Sequence, residues 1–251
     1  MKLGANEPRA RANPLRVLIT GFGPFPGAPF NPTQQLVARL ANLRRPAFDG
    51  VERASHIFNV TYGDVDRDLP QLLAEHRPDV LLMFGLAART PHVRIETRAR
   101  NAITTIWPDA GHTRIGLGKI AAGGTDALTF GPHTARLLRA ALQTSVLAKS
   151  SRDAGRYLCN YLCWRAIEAG MASPQPPLTA FIHVPLVPRG TMSRRKGVTR
   201  VSFEQLVDAG EAILFEMIRT ARGLRLLPRA NAAQDQMSAT KAGTARPLAV
   251  R

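Results

Sequence analysis

The chain has 251 residues, 45% of them hydrophobic, and 34 Lys and Arg against 18 Asp and Glu give it a formal charge of +16. That length supports one sizeable core, while its longest apolar run, Val80 to Ala88 with Gly85 inside it, falls far below the roughly 18 residues of a membrane span, which excludes a transmembrane helix. Two cysteines, Cys159 and Cys163, are too few for a disulfide framework and lack the second pair that a zinc site needs, so no metal is expected.

In chain order, residues 1–14 are polar and basic without periodicity. They have no apolar centre or small-residue cleavage site, so they read as a flexible extension rather than a secretory signal, and a cytoplasmic location is the expectation. Leu15–Thr20 is a buried strand. Asn31 and Pro32 then supply a cap and a first-turn proline for a helix over Pro32–Leu43, whose Leu36, Val37, Leu40 and Leu43 share one face. His56–Val60 reads as a strand, Val65–Glu75 as a helix and Asp79–Phe84 as a strand closed by Gly85, with an irregular strand over Ile95–Ile106. Thr134–Leu147 and Tyr157–Ala169 read as helices, Thr179–Val184 as a strand and Phe203–Ala221 as the last helix. From Arg229 to Arg251 the chain is small and polar, with a net charge of +3, and reads as a flexible basic tail. Alternating strands and helices over 15–228 predict an α/β fold, a single three-layer α/β/α domain with a twisted mixed sheet.

Cys159 follows the polar loop that Gly155 ends and precedes the apolar positions Leu162, Trp164 and Ile167, which places its thiol in the first turn of a helix. Unpaired N–H groups and the positive helix end favour thiolate there, lowering the pKa from about 8.5 toward neutrality. A small buried apolar residue is the alternative reading, and it suits Cys163 better. Of six histidines, His183 stands at a strand terminus bounded by Pro185, where α/β sheets build their sites. Imidazole is suited to accept and donate protons. His56 also begins a strand, whereas His76, His92, His112 and His133 have no evident partner in the sequence. Glu96, in a strand-like stretch with Arg94, Arg98 and Arg100, is a candidate to orient the imidazole, with a salt-bridged surface glutamate as the alternative. Cysteine, histidine and glutamate would form a nucleophile, base and orienter set. Gly21-Phe-Gly-Pro-Phe25 brings Phe22 and Phe25 to a strand's carboxyl end, where two rings can hold a flat ligand or cover the core edge. No Gly-x-Gly-x-x-Gly or phosphate loop occurs, so no nucleotide cofactor is expected. Nor is there an aromatic and basic stripe of the RNA-binding kind, so no nucleic-acid partner is expected despite the charge.

Taken together, Val17-Leu-Ile-Thr-Gly-Phe-Gly-Pro-Phe25 with Asn31-Pro32, Pro78-Asp79 leading to Gly85, Glu96 with Asn101 and Pro108-Asp109, Ala154-Gly155 with Tyr157 and Cys159-Asn160, and Phe181-Ile-His-Val-Pro185 resemble the pyroglutamyl peptidase I family of cysteine peptidases, as a divergent member. The resemblance covers about Leu15 to Arg219. It implies a three-layer α/β/α fold, often a homotetramer, without metal or cofactor, that removes an N-terminal pyroglutamyl residue from a peptide. It makes Cys159 the nucleophile, His183 the general base and acid, and Glu96 the orienting carboxylate. Phe22 and Phe25 would flank the pyrrolidone ring, and Asn31 and Leu86 join them as candidate substrate-binding residues. Leu86-Ala-Ala-Arg89 stands where the family usually carries Gln-Ala-Gly-Gly, and Ile106 where it carries an arginine that Arg98 or Arg100 would have to replace. These departures leave two alternatives open: a cysteine hydrolase of another small N-acyl or amide compound, and a weakly catalytic binding protein on the same scaffold.

Overall fold

The computed structural model describes residues 13–25, 27–188 and 201–226. The predicted basic tail and all but the last two residues of the predicted N-terminal extension lie outside the described residues. The strands are β1 (Leu15–Phe22), β2 (Val51–Phe58), β3 (Val80–Leu86), β4 (Val93–Glu96), β5 (Arg98–Arg100), β6 (Ala127–Thr129), β7 (Ala148–Ser151) and β8 (Leu178–Val184). The helices are α1 (Pro32–Ala41), α2 (Tyr62–His76), α3 (Thr134–Leu142), α4 (Leu158–Ala172) and α5 (Phe203–Leu226).

Six strands form one mixed sheet in the order β2-β1-β3-β8-β4-β7. Pairing is parallel throughout except between β4 and β8, which run antiparallel. β5 and β6 make a separate antiparallel ribbon. Successive side chains of a strand point to opposite faces, and the sheet sorts its residues accordingly. Val17, Ile19, Leu82, Phe84, Ile95 and Ile182 meet α1, α3 and α5 in one apolar cluster. Leu18, Phe22, Leu81, Met83 and Phe181 meet α2 and α4 in the other. This is the three-layer α/β/α architecture that the alternating pattern predicts.

Local chemistry sets the helix starts. The Asn31 side chain accepts the Thr33 N–H, with Pro32 inside the first turn of α1, and Thr61 caps α2 by accepting the Asp64 N–H. Arg77 ends α2 in the left-handed conformation at φ 40°.

Several boundaries differ from the sequence expectation. The irregular strand expected over Ile95–Ile106 is two short strands in different sheets, split at Thr97, whose N–H and hydroxyl both donate to the Ser151 carbonyl at 2.8 Å. Beyond Arg100 that stretch leaves the sheet. The helix expected to reach Leu147 stops at Leu142, and β7 follows it. β7 buries only Ala148, so it carries no apolar alternation to reveal it. β2 begins at Val51 rather than His56 because it is an edge strand, mostly half-buried, with a weak hydrophobic pattern.

Candidate active site

The site lies on the α4 side of the sheet, near the carboxyl ends of β3 and β8. Strand register brings its parts into one row: His183 of β8 stands opposite Gly85 of β3 on one side and opposite Arg94 of β4 on the other. Glu96 follows Arg94 by two residues, so both side chains leave the same face of β4. The result is a buried pair in which His183 Nδ1–H donates to Glu96 Oε1 at 2.8 Å, with His183 4% and Glu96 0% exposed. With Nδ1 committed, Nε2 is left free for a second partner, and Cys159 acts on the ring as a neighbouring charge and hydrogen-bond partner.

Cys159 is the second residue of α4. Its N-cap, Tyr157, provides no side-chain cap, so the first-turn N–H groups remain available to an anion. Gly155, at φ 86°, takes a left-handed conformation that a side chain would disfavour, turning the chain into the helix. Asn160 locks that start in place: Oδ1 accepts the Arg100 N–H at 2.8 Å, and Nδ2 donates to the carbonyls of Arg100 and Ala102. The Tyr157 hydroxyl donates to the Pro108 carbonyl at 2.9 Å. Gly85 clears the space for the sulfur, since a Cβ there would stand 2.8 Å from Cys159 Sγ and 2.6 Å from Phe181 Cζ.

Electrostatics favour a charged imidazole. Burial works to lower the His183 pKa, but Cys159 and then Glu96, each as charge and hydrogen-bond partner, override it and hold the imidazole up to about 9. A charged imidazole thus neighbours the Cys159 sulfur. Cys163 contrasts with it. It is fully buried one turn along the helix, and burial, then Glu96 and Cys159, push its thiol well above the ordinary range, which makes it an inert core residue.

The other candidates take different places. Phe22 is 3% exposed and packs on Phe58 with ring centroids 5.9 Å apart, so most of its ring belongs to the core. Phe25 is half-buried in a tight turn closed by mutual backbone hydrogen bonds with Ala28. Asn31 is buried and occupied: besides capping α1 it donates to the Gly23 carbonyl at 3.1 Å, anchoring the loop that carries Phe25. Leu86 is half-buried at the end of β3, opposite Val184. Ile106 is 68% exposed. Arg98 donates to the Arg152 carbonyl and Arg100 pairs with Asp153 at 3.2 Å. Arg94 is the arginine that reaches the buried carboxylate, at 3.1 Å. His133, which had no evident partner in the sequence, is buried with Nε2 2.9 Å from the Thr179 carbonyl. Sequence reasoning noted Arg94 only as part of a basic stretch and Gly85 only as a strand end within a family motif. The spacing of Arg94 and Glu96 by two was the one available signal, and it becomes informative only once the stretch is known to be a strand.

An apolar groove of about 620 Å³ opens nearby, lined by Phe30, Ala88, Leu186 and Val187 among others, and Cys159, His183 and Glu96 are not in its walls. Among the described residues, no group of His, Cys, Asp and Glu gathers as metal ligands, and no helix is long and apolar enough to cross a membrane.

A family model for pyroglutamyl peptidase matches residues 15–219. The chain is 29% identical over 174 residues to a pyrrolidone-carboxylate peptidase of Pyrococcus furiosus, covering 69% of this chain and 82% of that protein. It is 28% identical over 214 residues to one from Vibrio vulnificus, covering 82% and 93%. Among solved structures, a variant pyrrolidone carboxyl peptidase from Pyrococcus furiosus superposes with a TM-score of 0.73 at 25% identity, covering 82% of this chain and all of that one.

Proposed function

Because this chain belongs to the pyroglutamyl peptidase family, we propose that it removes the N-terminal pyroglutamyl residue of peptides by acyl-enzyme hydrolysis, with Cys159 as nucleophile, His183 as acid and base, and Glu96 as orienting carboxylate. The observation that carries this reading is the buried His183–Glu96 hydrogen bond, with the half-buried Cys159 as the other charge and hydrogen-bond partner of the ring.

In the first step the Cys159 thiolate attacks the carbonyl carbon of the pyroglutamyl residue. The N–H groups of the first turn of α4 hold the oxyanion, and that stabilisation, made only in the transition state, lowers the barrier. The imidazolium gives its Nε2 proton to the leaving amine as the C–N bond breaks, leaving a thioester. Water then attacks the thioester, and the neutral imidazole takes its proton. Collapse of the second tetrahedral intermediate releases pyroglutamate and restores the thiolate–imidazolium pair. Glu96, accepting from Nδ1, keeps Nε2 facing the sulfur throughout. Phe25 offers the lactam ring aromatic surface, with Phe22 as the core support behind it, Leu86 adds an apolar contact, and Asn31 holds the Phe25 loop. No cofactor enters this scheme. The resemblance also supports a homo-oligomer, a tetramer by analogy with the family, and we further propose a cytoplasmic location. Sedimentation and cell fractionation test those two points.

The central test compares pyroglutamyl, prolyl and acetyl chromogenic amides. We expect turnover of the first alone, its abolition in Cys159→Ala with the fold intact by circular dichroism, and selective labelling of Cys159 by iodoacetamide. Cleavage surviving Cys159→Ala would refute the mechanism, and preference for another amide would refute the specificity.

A further inference from the structure

The Glu96 carboxylate is held at one oxygen only. Oε2 is buried without a hydrogen-bond partner among the described residues, while Oε1 takes both the His183 N–H at 2.8 Å and Arg94 Nη2 at 3.1 Å. The same Nη2 donates to Ser151 Oγ at 2.6 Å and to the Asp153 carbonyl. Ser151 ends β7 and Asp153 lies in the loop that runs from β7 to the first turn of α4, where Cys159 stands. One guanidinium nitrogen therefore touches both the carboxylate that orients the imidazole and the loop that delivers the nucleophile. The Arg94 side chain is only 20% exposed, so its charge acts where solvent screens little.

We propose that Arg94 is a positioning residue of this site, clasping the Glu96 carboxylate to the β7–α4 loop so that orienter and nucleophile keep one spacing. The clasp rests on the function proposed above and adds to it a residue that touches no reacting atom. It supplies geometry, because a carboxylate released on that side is free to swing about its bond to His183. It also supplies charge: Arg94, Glu96, His183 and Cys159 together are neutral when the thiolate and imidazolium form, whereas the set without the arginine carries an excess negative charge. The groups facing His183 are Arg94 and Glu96 from β4 and Cys159 from α4, with Cys163 buried behind. β3 contributes Gly85 at that row and no charge.

The test measures kcat, KM and their pH profiles on a pyroglutamyl amide, together with the rate of Cys159 alkylation, for Arg94→Met, Arg94→Lys and Ser151→Ala. Misplacement of a catalytic group by about an ångström costs about 100-fold, and Arg94→Met is expected to lose that much in kcat with KM unchanged. Removing a cation favours the imidazolium, so the alkaline limb of kcat should move upward from about 9. Arg94→Lys, keeping the charge, should return that limb to its place and recover much of kcat. Ser151→Ala should lower kcat less and leave the limb where it is, and it decides the matter if Arg94→Met does not fold. Wild-type kcat and limb in Arg94→Met, a loss confined to KM, or, where Arg94→Met fails to fold, wild-type kcat in Ser151→Ala would overturn the proposal. If wild-type protein cleaves no pyroglutamyl amide, the substrate reading falls by itself, and slowed alkylation of Cys159 in Arg94→Met still supports the clasp.

Discussion

The two faces of the sheet are built from the same strands and do opposite things. On the face covered by α1, α3 and α5, β8 presents Ala180, Ile182 and Val184 and β4 presents Val93 and Ile95, all buried and apolar. One residue along, the same two strands present His183, Arg94 and Glu96 toward α4. The core face tolerates no polar group without a partner, because burying one unpaired costs a few kcal/mol. The site face keeps its charges because each meets an opposite charge or a donor. A slip of one residue in the pairing of β8 with β4 would exchange the two sets, so the pairing that makes the core also assembles the site.

The sharpest way to break this comparison is on the site face. Removing the orienting charge in Glu96→Gln should lower kcat by between about 100- and 10,000-fold while leaving the fold intact. Its alkaline limb should also move. In the wild type, loss of the imidazolium should reduce kcat as pH rises through about 9. Deleting an anion that helps hold His183 up must shift that limb downward, opposite to the shift expected of Arg94→Met. Rate measurements against pH check both signs. On the core face, Ile182→Ala should do the reverse, costing about 2–5 kcal/mol of stability in urea unfolding with kcat/KM of the folded protein little changed. A large kcat loss in Ile182→Ala would show that the faces are not independent. Gly85→Ala tests the seam between them, since its methyl would collide with Phe181 and the Cys159 sulfur. Overpacking of this kind costs about 1–3 kcal/mol, and slower iodoacetamide labelling of Cys159 should accompany it. The smallest effect belongs to Cys163→Ala, a change of about 1 kcal/mol or less in stability with full activity, against the complete loss expected for Cys159 one turn away.

Much of this was legible in the chain itself. Leu36, Val37 and Leu40 announce α1, and Asn31 announces its start, because helix periodicity and capping are local. The placement of Cys159 in a first turn and of His183 at a strand end needs only the elements around them. β7 was hidden because an edge strand that buries one alanine has no pattern to read. Thr97 was hidden because only the neighbouring Ser151 carbonyl makes it a breakpoint. Ile106 drew notice as a missing cation, yet it faces solvent, and the cation that meets the Glu96 carboxylate, Arg94, drew notice only as part of a basic stretch.

Composition and periodicity therefore determined the layers, the capped helices and the place of Cys159 in a first turn, all consequences of contacts between residues a few positions apart. The tertiary structure alone decided that Arg94 meets Glu96, that Glu96 meets His183, and that Gly85 leaves room for the sulfur. Those meetings depend on the order β3-β8-β4 and its mixed direction, and strand order is set by pairing between segments as far apart as the 87 residues that separate Glu96 from His183, a distance over which no local pattern can register.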